Sequence, residues 1–152
     1  MQIEEKKVNE EQSALIKHKG SADELVGLIN ELMAWIEDNE IEVAGLPFAI
    51  YYTIPQKREN VLVYDVGVPI SGDVAGTDRI AVGSVPEHTV LSGKYKGNHN
   101  EIKSAYDEMV DFVNNSTYDV IGSPREVYHN LPDEVEDSEL ITEIQFPVIN
   151  MG

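Results

Sequence analysis

The sequence predicts an α+β fold: a duplicated β-α-β-β unit that builds an antiparallel sheet with two helices on one face. Three observations predict it. The chain repeats itself at an offset of 77 residues, each repeat carries one stretch of helical periodicity behind a capping motif, and two strand-like stretches follow each helix. Helices segregated from antiparallel strands give a two-layer sandwich. The 152 residues suit one domain, residues 1–152, with pseudo-repeats at about 1–72 and 78–150.

The helices come first. Gly20-Ser21-Ala22-Asp23-Glu24-Leu25 matches Gly97-Asn98-His99-Asn100-Glu101-Ile102. Both read as a glycine, an N-cap and a glutamate three residues on, the capping-box pattern that satisfies free backbone N–H groups. Leu25, Leu28, Ile29, Leu32, Met33 and Ile36 then follow helical spacing, as do Ile102, Ala105, Tyr106, Met109, Val110 and Val113. Trp35 and Phe112 hold equivalent places at the edge of that stripe, where core packing is the commoner role.

The strands follow. One is expected near Phe48–Ile54 and again near Arg125–His129, a second near Val61–Ile70 and Leu140–Val148. A strand precedes each helix, near Ser13–Lys19 and Thr89–Lys96, with extensions near Gln2–Val8 and Arg79–Ser84. The polar stretches Pro55–Asn60 and Leu131–Ser138 carry proline and suit hairpin connections.

Composition narrows the function classes. The net charge is −17, which disfavours phosphate backbones and anionic membranes and favours cations. Without cysteine there is no disulfide, thiolate nucleophile or zinc–cysteine site. No apolar run is long enough to span a bilayer or to serve as a secretory signal, so a cytoplasmic location is expected. His18, His88, His99 and His129 show no metal-ligand spacing, and neither a phosphate-binding loop nor a nucleophile elbow is present. No cofactor, metal or catalytic residue is expected on these patterns.

Two helices cover one face of the sheet and leave the other available. Side chains alternate along a strand. Phe48, Ile50 and Tyr52 form the more apolar set of their strand and are expected under the helices. That leaves Tyr51, Tyr128, Asp65 and Glu143 on the open face, near the pseudo-dyad. Tyrosine rings around a carboxylate suit a cation, and without one the Glu143 pKa is expected to rise. Tyrosines that merely pack and carboxylates that are merely solvated remain the ordinary alternatives.

Gly45-Leu46-Pro47-Phe48-Ala49-Ile50-Tyr51-Tyr52, the run from Gly97 to Val113, Gly122-Ser123-Pro124-Arg125-Glu126-Val127-Tyr128 and the ending Leu140-Ile141-Thr142-Glu143-Ile144-Gln145-Phe146-Pro147-Val148 together resemble the gyrase-inhibitor-like (GyrI-like) effector-binding domain, which also serves AraC-type and MerR-type regulators. The resemblance implies a groove at the pseudo-dyad that takes amphipathic, often cationic, small molecules. It implies that Glu143 sits in that groove with Tyr51 and Tyr128 nearby, and Tyr95 and Tyr106 as further contacts; Asp65, Phe48 and Trp35 complete the candidate ligand-binding set. The chain starts almost at the first strand, so no DNA-binding domain and no direct nucleic-acid contact are expected. Two other activities are similar to those in the family: hydrolysis of strained rings in toxic natural products, and binding of a protein partner as a gyrase inhibitor does.

Overall fold

The computed structural model describes residues 1–53 and 61–152. The predicted turn at Pro55–Asn60, and Ile54 at the end of its strand, lie outside these residues. Among the described residues ten strands and two α-helices follow in order: β1 (Ile3–Val8), β2 (Glu11–Gly20), α1 (Leu25–Asp38), β3 (Glu42–Val43), β4 (Phe48–Tyr51), β5 (Leu62–Ser71), β6 (Ala81–Val85), β7 (His88–Lys96), α2 (Lys103–Asn114), β8 (Tyr118–Val120), β9 (Arg125–Tyr128) and β10 (Ile141–Asn150). The predicted α+β class and the duplication are both present.

All pairings are antiparallel, in the order β1-β7-β10-β9-β4-β5-β2-β6, with β3 beside β5 and β8 beside β10. The halves meet where β4 pairs with β9, Ala49 opposite Glu126. The outermost strands are exchanged: β1 pairs with β7 of the second repeat, and β6 pairs with β2 of the first. β1 and β2 lie near opposite ends of the strand order, yet only Asn9 and Glu10 join them. The sheet must therefore curl until its ends approach each other, as strand twist allows. The helices cover the outside of this curl, and the open face is its inside.

Each helix is preceded by a 3-10 turn, Ala22–Glu24 or His99–Glu101. Ser21 and Asn98 cap these turns rather than the α-helices: Ser21 Oγ accepts from the Asp23 amide at 3.1 Å and Asn98 Oδ1 from the Asn100 amide at 2.8 Å. The return half of the capping box is not seen at Glu24, whose carboxylate bonds His18 instead. The apolar stripes pack as predicted at Leu25, Leu28, Ile29, Leu32 and Ile36, and at Ile102, Ala105, Tyr106 and Met109. Met33 and Val110, read into the stripes, lie on their exposed margins. A single helical stripe needs only about a third of the circumference.

The curl also buries residues of the inner face. Phe48 is wholly buried there against Gly67, its partner across β4 and β5. A Cβ on Gly67 would lie 2.4 Å from Phe48 Cζ and 2.7 Å from Leu15 Cδ2. Gly67→Ala is expected to destabilise the fold by about 1–3 kcal/mol, the usual cost of overpacking. A lowered urea midpoint at unchanged slope checks this; an unchanged midpoint would show that the ring yields freely.

Candidate functional site

Register, not apolar content, decides which face each strand residue occupies. Tyr51 pairs with Tyr64 across β4 and β5, and Ile50 pairs with Asp65. Tyr64, Val66 and Val68 pack under α1, so Ala49 and Tyr51 face the helices with them. The expected faces of β4 and β9 are therefore reversed. Tyr51 and Tyr128 lie beneath the helices, 1% exposed, and Phe48 points into the curl. The reversal is possible because the curl buries apolar residues on its inner side as well.

Glu143 and Asp65 do lie on the inner face, as predicted, but not among tyrosines at the axis. Glu143 Oε2 accepts from Lys6 Nζ at 2.9 Å, Ser92 Oγ at 2.8 Å and Gln145 Nε2 at 2.8 Å, and Oε1 lies 2.9 Å from His129 Nε2. Burial pushes its pKa up, yet the bonds from Gln145, His129, Lys6 and Ser92 outweigh it and hold the pKa at about 2. The expected rise is thus overturned: the carboxylate is already satisfied from within. Asp65, its counterpart, accepts from Tyr52 Oη at 2.6 Å, and burial plus that bond raise the Tyr52 hydroxyl to about 12.

A second carboxylate meets the tyrosines. Glu126 is fully buried on the helix side of β9. Its Oε2 accepts from Tyr106 Oη at 2.6 Å and its Oε1 from Tyr128 Oη at 3.0 Å. Tyr128 Oη lies 3.2 Å from Tyr51 Oη across the pseudo-dyad. The Tyr51 and Tyr64 rings are 5.3 Å apart, and Tyr64 Oη donates to the Ser21 carbonyl at 2.8 Å. The His99 ring lies 5.6 Å from that of Tyr128. His99 also lines a cleft of about 240 Å³ between the two helix starts, bounded by Ala22, Asp23, Asn98 and Leu140. Of this cluster His99 alone lines the cleft; Glu126 and the four tyrosines are not among its lining residues.

Of the predicted contacts, Tyr51, Tyr128 and Tyr106 come together here. Phe48, Asp65 and Glu143 share the inner face instead. Tyr95 donates to the Asn98 carbonyl at 2.9 Å and braces the turn before α2. Trp35 packs at the edge of the core under α1. Glu126 is the residue that sequence reasoning passed over, although it stands two before Tyr128 and so shares its face. Among the described residues, no cluster of three His, Asp or Glu side chains is arranged to hold a metal ion.

The fold has close structural relatives. The C-terminal domain of EcmrR superposes with a TM-score of 0.85 at 19% identity, over 98% of each chain. In the EcmrR–DNA complex the TM-score is 0.87 at 20% identity, and the match takes in 97% of this chain but only 57% of the EcmrR chain. A hydrolase from Listeria innocua aligns over 97% of this chain and 91% of its own at 14% identity, TM-score 0.66. SAV2435, solved with bound tetraphenylphosphonium, aligns over 98% of this chain and 94% of its own at 11% identity, TM-score 0.62. At these identities the likeness concerns the fold. No curated protein matches the sequence. A family profile does match, over residues 1–149, and by it the chain belongs to the GyrI-like small molecule binding domain family.

Proposed function

We propose that this chain binds an amphipathic organic cation on the helix side of the pseudo-dyad, with Glu126 as its counter-charge. The observation that carries the reading is a wholly buried carboxylate bonded to two tyrosine hydroxyls, from which Tyr51 and then Tyr64 continue the row of rings. Tyrosine faces attract cations by roughly 0.5–2 kcal/mol each, most where water is excluded. The long-range field of a chain at −17 adds to this, as do Asp23 and Asp137 at the mouth of the cleft. That SAV2435 takes up tetraphenylphosphonium supports a lipophilic cation as the guest. The cleft, about 240 Å³, is smaller than the roughly 300 Å³ of a drug-sized site, so the guest widens it. The two 3-10 turns that border it are the segments that yield, since such turns are weakly bonded.

A second reading rests on the short Tyr106–Glu126 bond. A carboxylate paired with tyrosine hydroxyls can activate and orient water, and the Listeria relative is described as a hydrolase. Mass spectrometry after incubation with a cyclopropane-bearing alkylating compound separates the two: loss of substrate above buffer favours hydrolysis for that compound, and its absence leaves binding.

Calorimetric titration with tetraphenylphosphonium tests the main reading. Glu126→Gln is expected to cost on the order of 2 kcal/mol or more, the penalty for removing a desolvated charge partner. Glu143→Gln should leave affinity unchanged. The reverse pattern would move the guest to the inner face and overturn the assignment. Glu143 instead predicts a pH effect. Its folded pKa of about 2 lies below the ordinary 4.5, so its stabilisation is complete above pH 4.5 and is lost as pH falls toward 2. The stability gap between wild type and Glu143→Gln, read from urea midpoints, should narrow over that window. A gap independent of pH would contradict it.

A further inference from the structure

We propose that the inside of the curled sheet carries a second binding site, built for a neutral carboxamide or lactam edge. A groove of about 570 Å³ opens there, within the usual range for small-molecule sites. Its lining is charge-balanced on a strongly acidic chain: Lys6, Lys7 and Arg125 face Glu10, Glu11 and Glu143. The inner ion pairs are already made, Lys6 Nζ with Glu143 Oε2 at 2.9 Å and Arg125 Nη2 with Glu11 Oε1 at 2.7 Å. A cation or an anion seated beside Arg125 and Glu143 competes with one of them.

Two residues of the lining keep one donor and one acceptor without a partner. Arg125 Nε and Gln145 Oε1 are buried and have no hydrogen-bond partner among the described residues. Both residues are more than nine-tenths buried, at 7% and 4% exposure. Their other ends are committed. Arg125 places its guanidinium carbon 3.8 Å above the Phe48 ring while Nη2 holds Glu11. Gln145 gives Nε2 to Glu143 at 2.8 Å; a carboxylate only accepts, so the amide oxygen must be the end left over. The two residues are direct partners across β9 and β10 and share the inner face.

The repeat shows what this pair replaces. Arg125 stands 77 residues after Phe48, and Gln145 is the counterpart of Gly67 by the same slip that matches Asp65 with Glu143. In the first half a phenyl ring fills the space over a glycine. In the second half, a polar pair occupies the equivalent positions with a donor and an acceptor unspent. Leaving either unmet costs about 1–3 kcal/mol. An amide edge, C=O to Arg125 Nε–H and N–H to Gln145 Oε1, satisfies both and replaces neither ion pair; because both atoms are closed to water, the guest must first shift the groups that cover them. Leu46, Pro69, Ile70 and Val127 offer apolar wall for the remainder of such a molecule.

Benzamide, benzoate and benzamidinium share one ring and differ in that edge. Titrated separately into the labelled protein, benzamide is expected to shift the Arg125 Nε–H and Gln145 side-chain NMR signals saturably. Its affinity should exceed that of the two ions by about tenfold, the worth of a hydrogen bond left unmade. Gln145→Leu and Arg125→Lys should each weaken it by about the same factor, the lysine variant keeping a positive charge for Glu11 if the leucine variant folds poorly. Glu126→Gln should leave benzamide binding intact, which separates this site from the one at the dyad. No saturable shift, equal shifts from all three compounds, or tighter binding of benzoate would overturn the proposal and leave the groove to solvent or to ions.

Discussion

The pairing of β4 with β9 joins two half-sheets, and its register places Ala49 directly opposite Glu126 at the centre. These two residues are also counterparts in the repeat, 77 positions apart. The duplication is therefore broken at its own axis: one half supplies a methyl group, the other a carboxylate. Two glutamates at that point would be like charges in contact under a layer of helices, and one would stay protonated. With alanine opposite, a single carboxylate has room to turn toward Tyr106 and Tyr128. The tyrosines keep the symmetry that the carboxylate breaks, since Tyr51 and Tyr128 meet across the axis through their hydroxyls.

A second constraint acts with the first. The exchanged edge strands, tied by two residues between β1 and β2, force the sheet to curl and give it an interior. A flat sheet with helices on one side would offer one dry face and one wet face. This one has two buried faces of different character. The helix side is filled by aliphatic residues and tyrosines, while the inner side holds Phe48 beside satisfied charges. The net charge is thus uneven in its effect. Most carboxylates remain outside, and the few within are each tied to named donors.

Much of this was legible in the sequence. The offset fixed the helices, the strand order within each unit and the equivalence of Asp65 with Glu143, because periodicity and capping are local properties. The family resemblance agrees with the profile match. β3 and β8, of two and three residues, left no periodic signal to read. The error lay in the faces of β4 and β9. The rule that the more apolar set faces the helices presumes one dry face, and the curl removes that premise. Register across β5 decided instead, and β5 itself alternates little in burial, with Tyr64 through Ile70 all buried. A long-range pairing was needed to choose, and pattern alone does not contain it.

The same reliance on one dry face explains why Glu126 was passed over. A lone carboxylate on a strand ordinarily reads as solvated, and only the position of Tyr128 two residues later argued otherwise. Once Tyr128 is placed beneath the helices, alternation carries Glu126 there with no further assumption. Glu143 illustrates the converse. It is buried, and it belongs to the most recognisable element of the chain, yet Lys6, Ser92, His129 and Gln145 already surround it. A carboxylate so provided for gains little from a cationic guest, since binding would exchange one cation for another. Both glutamates are buried, yet Glu143 is tied to a lysine and a histidine while Glu126 accepts from tyrosine hydroxyls, and it is the aromatic setting that favours Glu126 in the proposed reading.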